Sequence, residues 1–219
     1  MFAKELISDD ISPLLLSDTV ELAISMMLEY KVKHLPIVDN NIFYGILYES
    51  SITDLKNTDI QIKDCLHSFP KKYVNENQHI YEVISELANN GLSILTVVND
   101  EMEYLGSILP NGIIKALSQF SAINQPGGII VLEMNVHDYS LGHIAQLVEE
   151  NDTQILSSYI YSIPNSTLIE LHLKLNRMDL NPVIQTLERF DYSVKIRIFE
   201  EANSDLDDRY ESFMKYLSI

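Results

Sequence analysis

The chain of 219 residues is long enough for one large domain or two small ones, each with a core of its own. Hydrophobic residues at 46% and charged residues at 21% exclude extended disorder, and a formal net charge of −17 disfavours nucleic acid and anionic membranes as partners. No apolar run reaches the roughly 18 residues of a membrane helix, residues 1–10 lack the features of an export signal, and Cys65 has no internal partner, so a cytoplasmic setting is expected.

Displaced by 60 residues, the first half of the sequence falls on itself. Val20, Ala23, Ile24 and Met27 land on Ile80, Val83, Ile84 and Leu87, and both sets have the spacing of a helix with one buried stripe. Asp18, three residues before Glu21, is read as the N-cap and half of a capping box. His34-Leu35-Pro36-Ile37-Val38 and Ile94-Leu95-Thr96-Val97-Val98 then read as buried strands. Turns follow at Asp39-Asn40-Asn41 and Asn99-Asp100-Glu101, one residue longer in the second copy. Phe43–Leu47 therefore corresponds to Tyr104–Ile108 at an offset of 61, and short helices near Ser50–Lys56 and Asn111–Gln119 close the copies. Each copy is β-α-β-β-α, with repeats at about 1–60 and 61–120 inside a paired domain of residues 1–124. One such unit is small for an independent core, so the pair is the expected stable form.

Gln125-Pro126-Gly127-Gly128 breaks the pattern and marks a linker at 125–128. Beyond it, Ile129–Val136 reads as a strand, Leu141, Ile144, Ala145 and Val148 as a helix stripe, and Gln154–Ile163 as a second strand. Leu168–Leu175 alternates apolar residues with Glu170, His172 and Lys174, which predicts one solvated face. Asp179 is read as the cap of a helix with Pro182 in its first turn and Leu180, Val183, Ile184 and Leu187 as its stripe, before a last strand at Val194–Phe199. This β-α-β-β-α-β order over 129–200 is that of a ferredoxin-like antiparallel sheet, so the fold class is α+β throughout. Residues 201–219 read as an acidic amphipathic helix with Leu206, Tyr210, Phe213, Met214 and Leu217 on one face.

The sequence offers no catalytic constellation. It has no glycine-rich phosphate loop, no nucleophile elbow and no paired-histidine zinc helix, so no residue is assigned a catalytic role. His137, Asp138 and His143 are close in sequence, but shared coordination would require a loop bend, and no metal is expected. Cys65 beside Leu66 reads as an inert buried thiol, and His34 as a hydrogen-bonded structural histidine.

Asp18-Thr19-Val20, His34-Leu35-Pro36-Ile37-Val38 and Gly45-Ile46-Leu47 together resemble the CBS domain, and the duplication resembles its tandem pairing. The likeness covers about residues 1–120 and is closer in the first copy. Residues 128–199 are similar to an ACT-type regulatory domain in element order and in Asp138 opening the first helix. A CBS pair followed by an ACT-like domain resembles the acetoin-utilisation accessory family of bacterial regulators. That resemblance implies homodimers that bind adenine nucleotides between the repeats, and amino acids at ACT interfaces. The implied cleft is lined by His34, Leu35, Pro36, Tyr48 and Ser51 from the first copy, and by Ile94, Thr96, Leu109, Asn111 and Gly112 from the second. Asp138, Tyr139, Ser140 and Leu141 form the corresponding ACT-like loop.

The implied nucleotide motif is glycine, two apolar residues, Ser or Thr, two further residues, then Asp or Asn. Tyr48 and Ser51 stand in the hydroxyl and acid positions of the first copy, and Leu109 and Gly112 in those of the second. Neither copy keeps the ribose carboxylate, and Leu141 replaces the glycine common in ACT loops. Two readings follow: a sensor of ATP, ADP, AMP or adenosylmethionine that requires no cofactor and regulates a protein partner, or a dimeric scaffold that has lost its ligand. An enzyme is the third reading, with His137, Asp138 and His143 its only foothold.

Overall fold

The structure is a computed structural model that describes residues 1–198 except Asp9, Asp54, Lys56, Leu66–Ser68 and Ser121, and for Phe120, Ile196 and Arg197 the backbone alone. The tail helix expected at 201–219 lies outside the described residues. Contacts divide the chain into two units, Met1–Leu117 and Ser118–Ile219. The division falls seven residues before the expected end of the paired domain at residue 124.

In the first unit, helices α1 (Val20–Tyr30) and α4 (Ile80–Asn90) bury the equivalent positions Val20, Ala23 and Met27, and Ile80, Val83 and Leu87. The cap of α1 differs from the expectation. The Leu22 N–H donates to Thr19 Oγ1 at 3.2 Å, whereas the Asp18 carboxylate accepts from Leu15 N–H in the preceding turn. Thr19 stands next to the first helical residue, where a side-chain oxygen reaches the free N–H groups. In α4 the box is His79 with Glu82: the Tyr81 N–H donates to His79 Nδ1 and the His79 N–H to Glu82.

Strands β1 (His34–Asp39) and β2 (Ile42–Tyr48) form a hairpin through Asn40 and Asn41, both at positive φ. In the second copy β3 (Tyr73–Asn75) pairs in parallel with β4 (Leu95–Val98), which pairs antiparallel with β5 (Tyr104–Ile108). The first copy reduces its leading strand to a single bridge, Leu14 to Ile37, at the position where Val74 meets Val97. Tyr44 and Leu105 are equivalent bulge residues, left over where Ile37 faces Gly45 and Val97 faces Gly106. Helix α2 (Glu49–Ile52) is shorter than its sequence suggests, while α5 (Pro110–Phe120) contains the expected segment.

The repeats, expected at about 1–60 and 61–120, exchange their leading segments. Residues near the N-terminus bond to the second copy: the Ala3 N–H donates to Gln78 O, Lys4 N–H to Glu76 O, and Ile80 N–H to Met1 O. The first copy instead holds the segment leading into α3 (Ile62–Cys65), through Ile62 N–H to Asp18 O, Lys63 N–H to Leu16 O, and Val20 N–H to Ile60 O. Ala3 and Leu6 accordingly sit in the core of the second copy, and Ile62 in that of the first.

The second unit has the order β6 (Ile129–Asn135), α6 (Leu141–Glu149), β7 (Ile155–Ser162), β8 (Leu168–Leu175), α7 (Asn181–Arg189) and β9 (Ser193–Ile198). Its sheet runs β7-β8-β6-β9 with every neighbour antiparallel. Ile144, Leu147 and Val148 of α6 share one core with Val183, Ile184 and Leu187 of α7 and with Leu132 and Leu171 of the sheet, so both helices cover one face. Asp179 Oδ1 accepts from the Asn181 N–H, although Leu180 holds the cap position itself.

The other face of β8 departs from the solvated face expected. Glu170, His172 and Lys174 are half-buried, the Tyr159 ring stacks on His172 at 4.3 Å, and Lys195 Nζ lies 2.6 Å from Glu170 and 3.0 Å from Glu133. No described helix is long and apolar enough to cross a membrane.

Candidate functional site

The two copies meet through residues that occupy the same position in the duplication. His34 Nε2 lies 2.8 Å from the carbonyl oxygen of Ile94, and the Lys33 N–H donates to Ser93 Oγ at 3.0 Å. At a second meeting point the Phe43 N–H donates to Met102 O at 3.0 Å and the Tyr104 N–H to Asn41 O at 2.8 Å, on either side of an Ile42 to Glu103 bridge. With offsets of 60 in the first set and 61 in the second, these reciprocal contacts define an approximate two-fold relation between the copies.

Around this junction the candidate ligand positions separate into three groups. His34, Tyr48 and Ile94 are brought together: His34 pairs with Tyr48 across β1 and β2, with ring centroids 5.2 Å apart. Tyr48 reaches over to the core of the second copy, and its counterpart Leu109 reaches over to the core of the first. Leu35, Pro36 and Thr96 form a second, buried group. Leu35 belongs to the first core, the Pro36 carbonyl accepts from Leu14 N–H, and Thr96 lies between its strand partners Tyr73 and Ser107. All three are interior strand positions. Ser51 on α2 and Asn111 on α5 are exposed, and the half-buried Gly112 donates its N–H to Leu109 O.

The glycines at the head of each motif have a structural cause. Gly45 and Gly106 adopt φ of +151° and +148°, which side chains rarely tolerate. A Cβ at Gly45 would stand 2.5 Å from Phe69 Cβ and 2.8 Å from its carbonyl oxygen, and one at Gly106 would overlap Ile7 Cγ2. The exchanged segments cross the hairpins here, with Ile46 N–H bonded to Pro70 O and Ser8 N–H to Ser107 O.

Burial lowers the pKa of the His34 imidazole, opposed by the Ile94 carbonyl. Sequence reasoning missed Ser93 and Lys33 at the junction. The available signal was their equivalence to each other, since a residue on a two-fold axis meets its own counterpart.

In the second unit the loop residues are placed differently from the expectation. Ser140 caps α6 through its oxygen and the His143 N–H, whereas Asp138 is exposed on a preceding 3-10 turn and does not open the helix. Tyr139 packs on the core and Leu141 is the exposed first residue of α6. His143 Nδ1 lies 2.8 Å from the Tyr192 hydroxyl, whose pKa burial raises, and its ring meets Phe190 edge-on. No group of three metal-ligating side chains occurs among the described residues. Cys65 is half-buried, donates to Ile62 O at 3.1 Å, and has its thiol pKa pushed up by burial.

Residues 3–57 match the family model of the CBS domain. Solved structures similar to this chain include a CBS domain pair/ACT domain protein from Thermotoga maritima, at 22% identity and a TM-score of 0.49, covering 54% of this chain and 98% of that one. CBSX2 in complex with AMP is similar at 17% identity and a TM-score of 0.46, over 54% of this chain and 96% of that one. The CBS domains of a transcriptional regulator from Streptococcus pneumoniae are similar at 15% identity and a TM-score of 0.47, over 52% and 98%.

Proposed function

We propose that the chain is a non-enzymatic regulatory protein whose paired repeats act as a CBS pair and take a small adenosine ligand, such as AMP, ADP, ATP or adenosylmethionine, between them. The observation that carries this reading is the two-fold junction, where a CBS-matching first copy meets the second copy at His34, Tyr48 and Ile94. A ligand wedged beside this junction bears on both copies at once. It therefore couples occupancy to the arrangement of the pair, which is how a binding module regulates a protein partner.

Residues 129–200 serve in this reading as an ACT-type module, supported by the β-α-β-β-α-β order and the antiparallel sheet. Asp138 to Leu141 would offer an amino-acid subsite there, the chain would work as a cytoplasmic homodimer, and 125–128 would be the linker.

Thermal shift of the full chain against adenosine phosphates, adenosylmethionine, NAD and amino acids tests the proposal. A ligand at about 100 times its dissociation constant adds roughly 2.7 kcal/mol. For a chain of this size that is about 5–10 °C. No shift with any member of the panel would refute it.

A second reading, a dimeric scaffold without ligand, is favoured by one observation. Tyr48 and Leu109, in the motif's hydroxyl positions, each pack across onto the opposite core. A dimer by light scattering together with an empty ligand panel would select this reading.

A further inference from the structure

The groups around His34 admit one neutral arrangement that satisfies all of them. The Lys33 N–H donates to Ser93 Oγ at 3.0 Å, so the Ser93 hydroxyl proton is available for His34 Nδ1 at 3.4 Å. Nε2 then carries the ring proton and donates it to the Ile94 carbonyl at 2.8 Å. The side chain is 1% exposed, with the Tyr48 ring against it.

We infer that His34 is a proton-sensitive latch between the two repeats, closed when its imidazole is neutral and loosened when Nδ1 takes up a proton from solvent. Protonated Nδ1 is a donor, so the Ser93 hydroxyl must turn from donating to accepting, and the ring then carries a charge at a site 1% exposed. Among the described residues the cation has no ion-pair partner. Strand β2 presents the neutral Tyr48, and the segment before β4 presents Ser93 and the Ile94 carbonyl. The neighbouring charged residues Lys33 and Glu49 have exposed side chains and meet the junction through the backbone, Glu49 N–H donating to Lys33 O. An uncompensated buried charge is costly, and the direction of the His34 shift agrees with that.

The sign follows from linkage. A histidine whose folded pKa lies below its unfolded value contributes fully above about pH 6.5, and that stability drains away as pH falls through 6.5 towards the folded pKa. The inference stands on the junction alone and requires no ligand.

The test compares the full-length wild type with His34→Gln, whose amide can donate to Ile94 and accept from Ser93 without titrating. Between pH 7.5 and 5.5 the wild-type melting temperature should fall by roughly 3–6 °C more than that of the variant. Nitrogen-15 NMR of wild-type histidines provides a readout that does not depend on the variant folding. The His34 signal should report the Nε2–H tautomer at pH 7.5 and stay more than half neutral at about pH 6.5. Equal pH slopes in the two proteins, an Nδ1–H tautomer, or half-protonation of His34 at or above pH 6.5 would overturn the inference.

Discussion

His34 Nε2 lies 2.8 Å from the carbonyl oxygen of Ile94, and the two residues hold the same position in sequences 60 residues apart. A side chain thus bonds to the backbone of its own counterpart, which places both near the two-fold axis. Replacing His34 with Ala takes the donor from the Ile94 carbonyl, leaves Ser93 only its bond from Lys33 N–H, and opens a void under Tyr48. The expected loss is about 2–4 kcal/mol in urea unfolding, with Ser93→Ala costing roughly 1–2 kcal/mol.

Gly45 and Gly106 share a backbone conformation but face different obstacles. At Gly45 the added Cβ meets both the Cβ and the carbonyl oxygen of Phe69, whereas at Gly106 it meets the γ2 methyl of Ile7 and no backbone atom. Gly45→Ala should cost about 2–4 kcal/mol and Gly106→Ala roughly 1–2 kcal/mol, since both carry the positive-φ penalty and only one adds a backbone clash. Paired denaturation curves check the order, and an equal or reversed ranking would show that the crossing segments yield.

The ligand reading can be strengthened by restoration as well as loss. Tyr48→Ser combined with Ser51→Asp supplies the hydroxyl and carboxylate of the resembled motif and withdraws the ring packed on the opposite core. One regained charge-assisted hydrogen bond is worth about 1.5–3 kcal/mol, so adenosine-ligand affinity should rise roughly ten- to hundred-fold by calorimetry. An unchanged affinity in a folded double variant would argue that the ligand lies elsewhere.

On the sheet of the second unit, Lys195 bridges Glu170 and Glu133. Its hydrogen bond holds the Glu170 carboxyl below the usual carboxylate range, and Glu170 with Glu133 raises the pKa of Lys195 in turn. The contribution of the depressed carboxylate is present above its unfolded pKa and is lost as pH falls through the folded one. Lys195→Met should raise the Glu170 midpoint in a carbon-13 NMR titration and remove that pH dependence. A Glu170 midpoint unmoved by the substitution would mean that His172, 3.4 Å away, maintains it alone.

The apolar skeleton was legible in the sequence because burial repeats with the local period of each element. Val20, Ala23 and Met27 recur as Ile80, Val83 and Leu87, the strands at 34–38 and 95–98 are buried, and the longer second turn is present. Leu180, Val183, Ile184 and Leu187 are likewise the buried stripe of α7. Periodicity depends only on neighbours along the chain, so it survives without knowledge of the fold.

The caps were less legible, since Asp18 and Thr19 are both good capping residues and the preceding turn decides between them by claiming Asp18. The exchange of leading segments, the crossing of Phe69 over Gly45 and of Ile7 over Gly106, and the reach of Tyr48 onto the opposite core are long-range facts. They follow from which surfaces close on one another once the stripes are buried, and no local pattern encodes that choice. By itself the sequence determined that two similar units would be built, each with its own apolar face. The tertiary structure alone decided that they meet at His34 and Ile94, because only packing the two faces together brings a residue to its own counterpart.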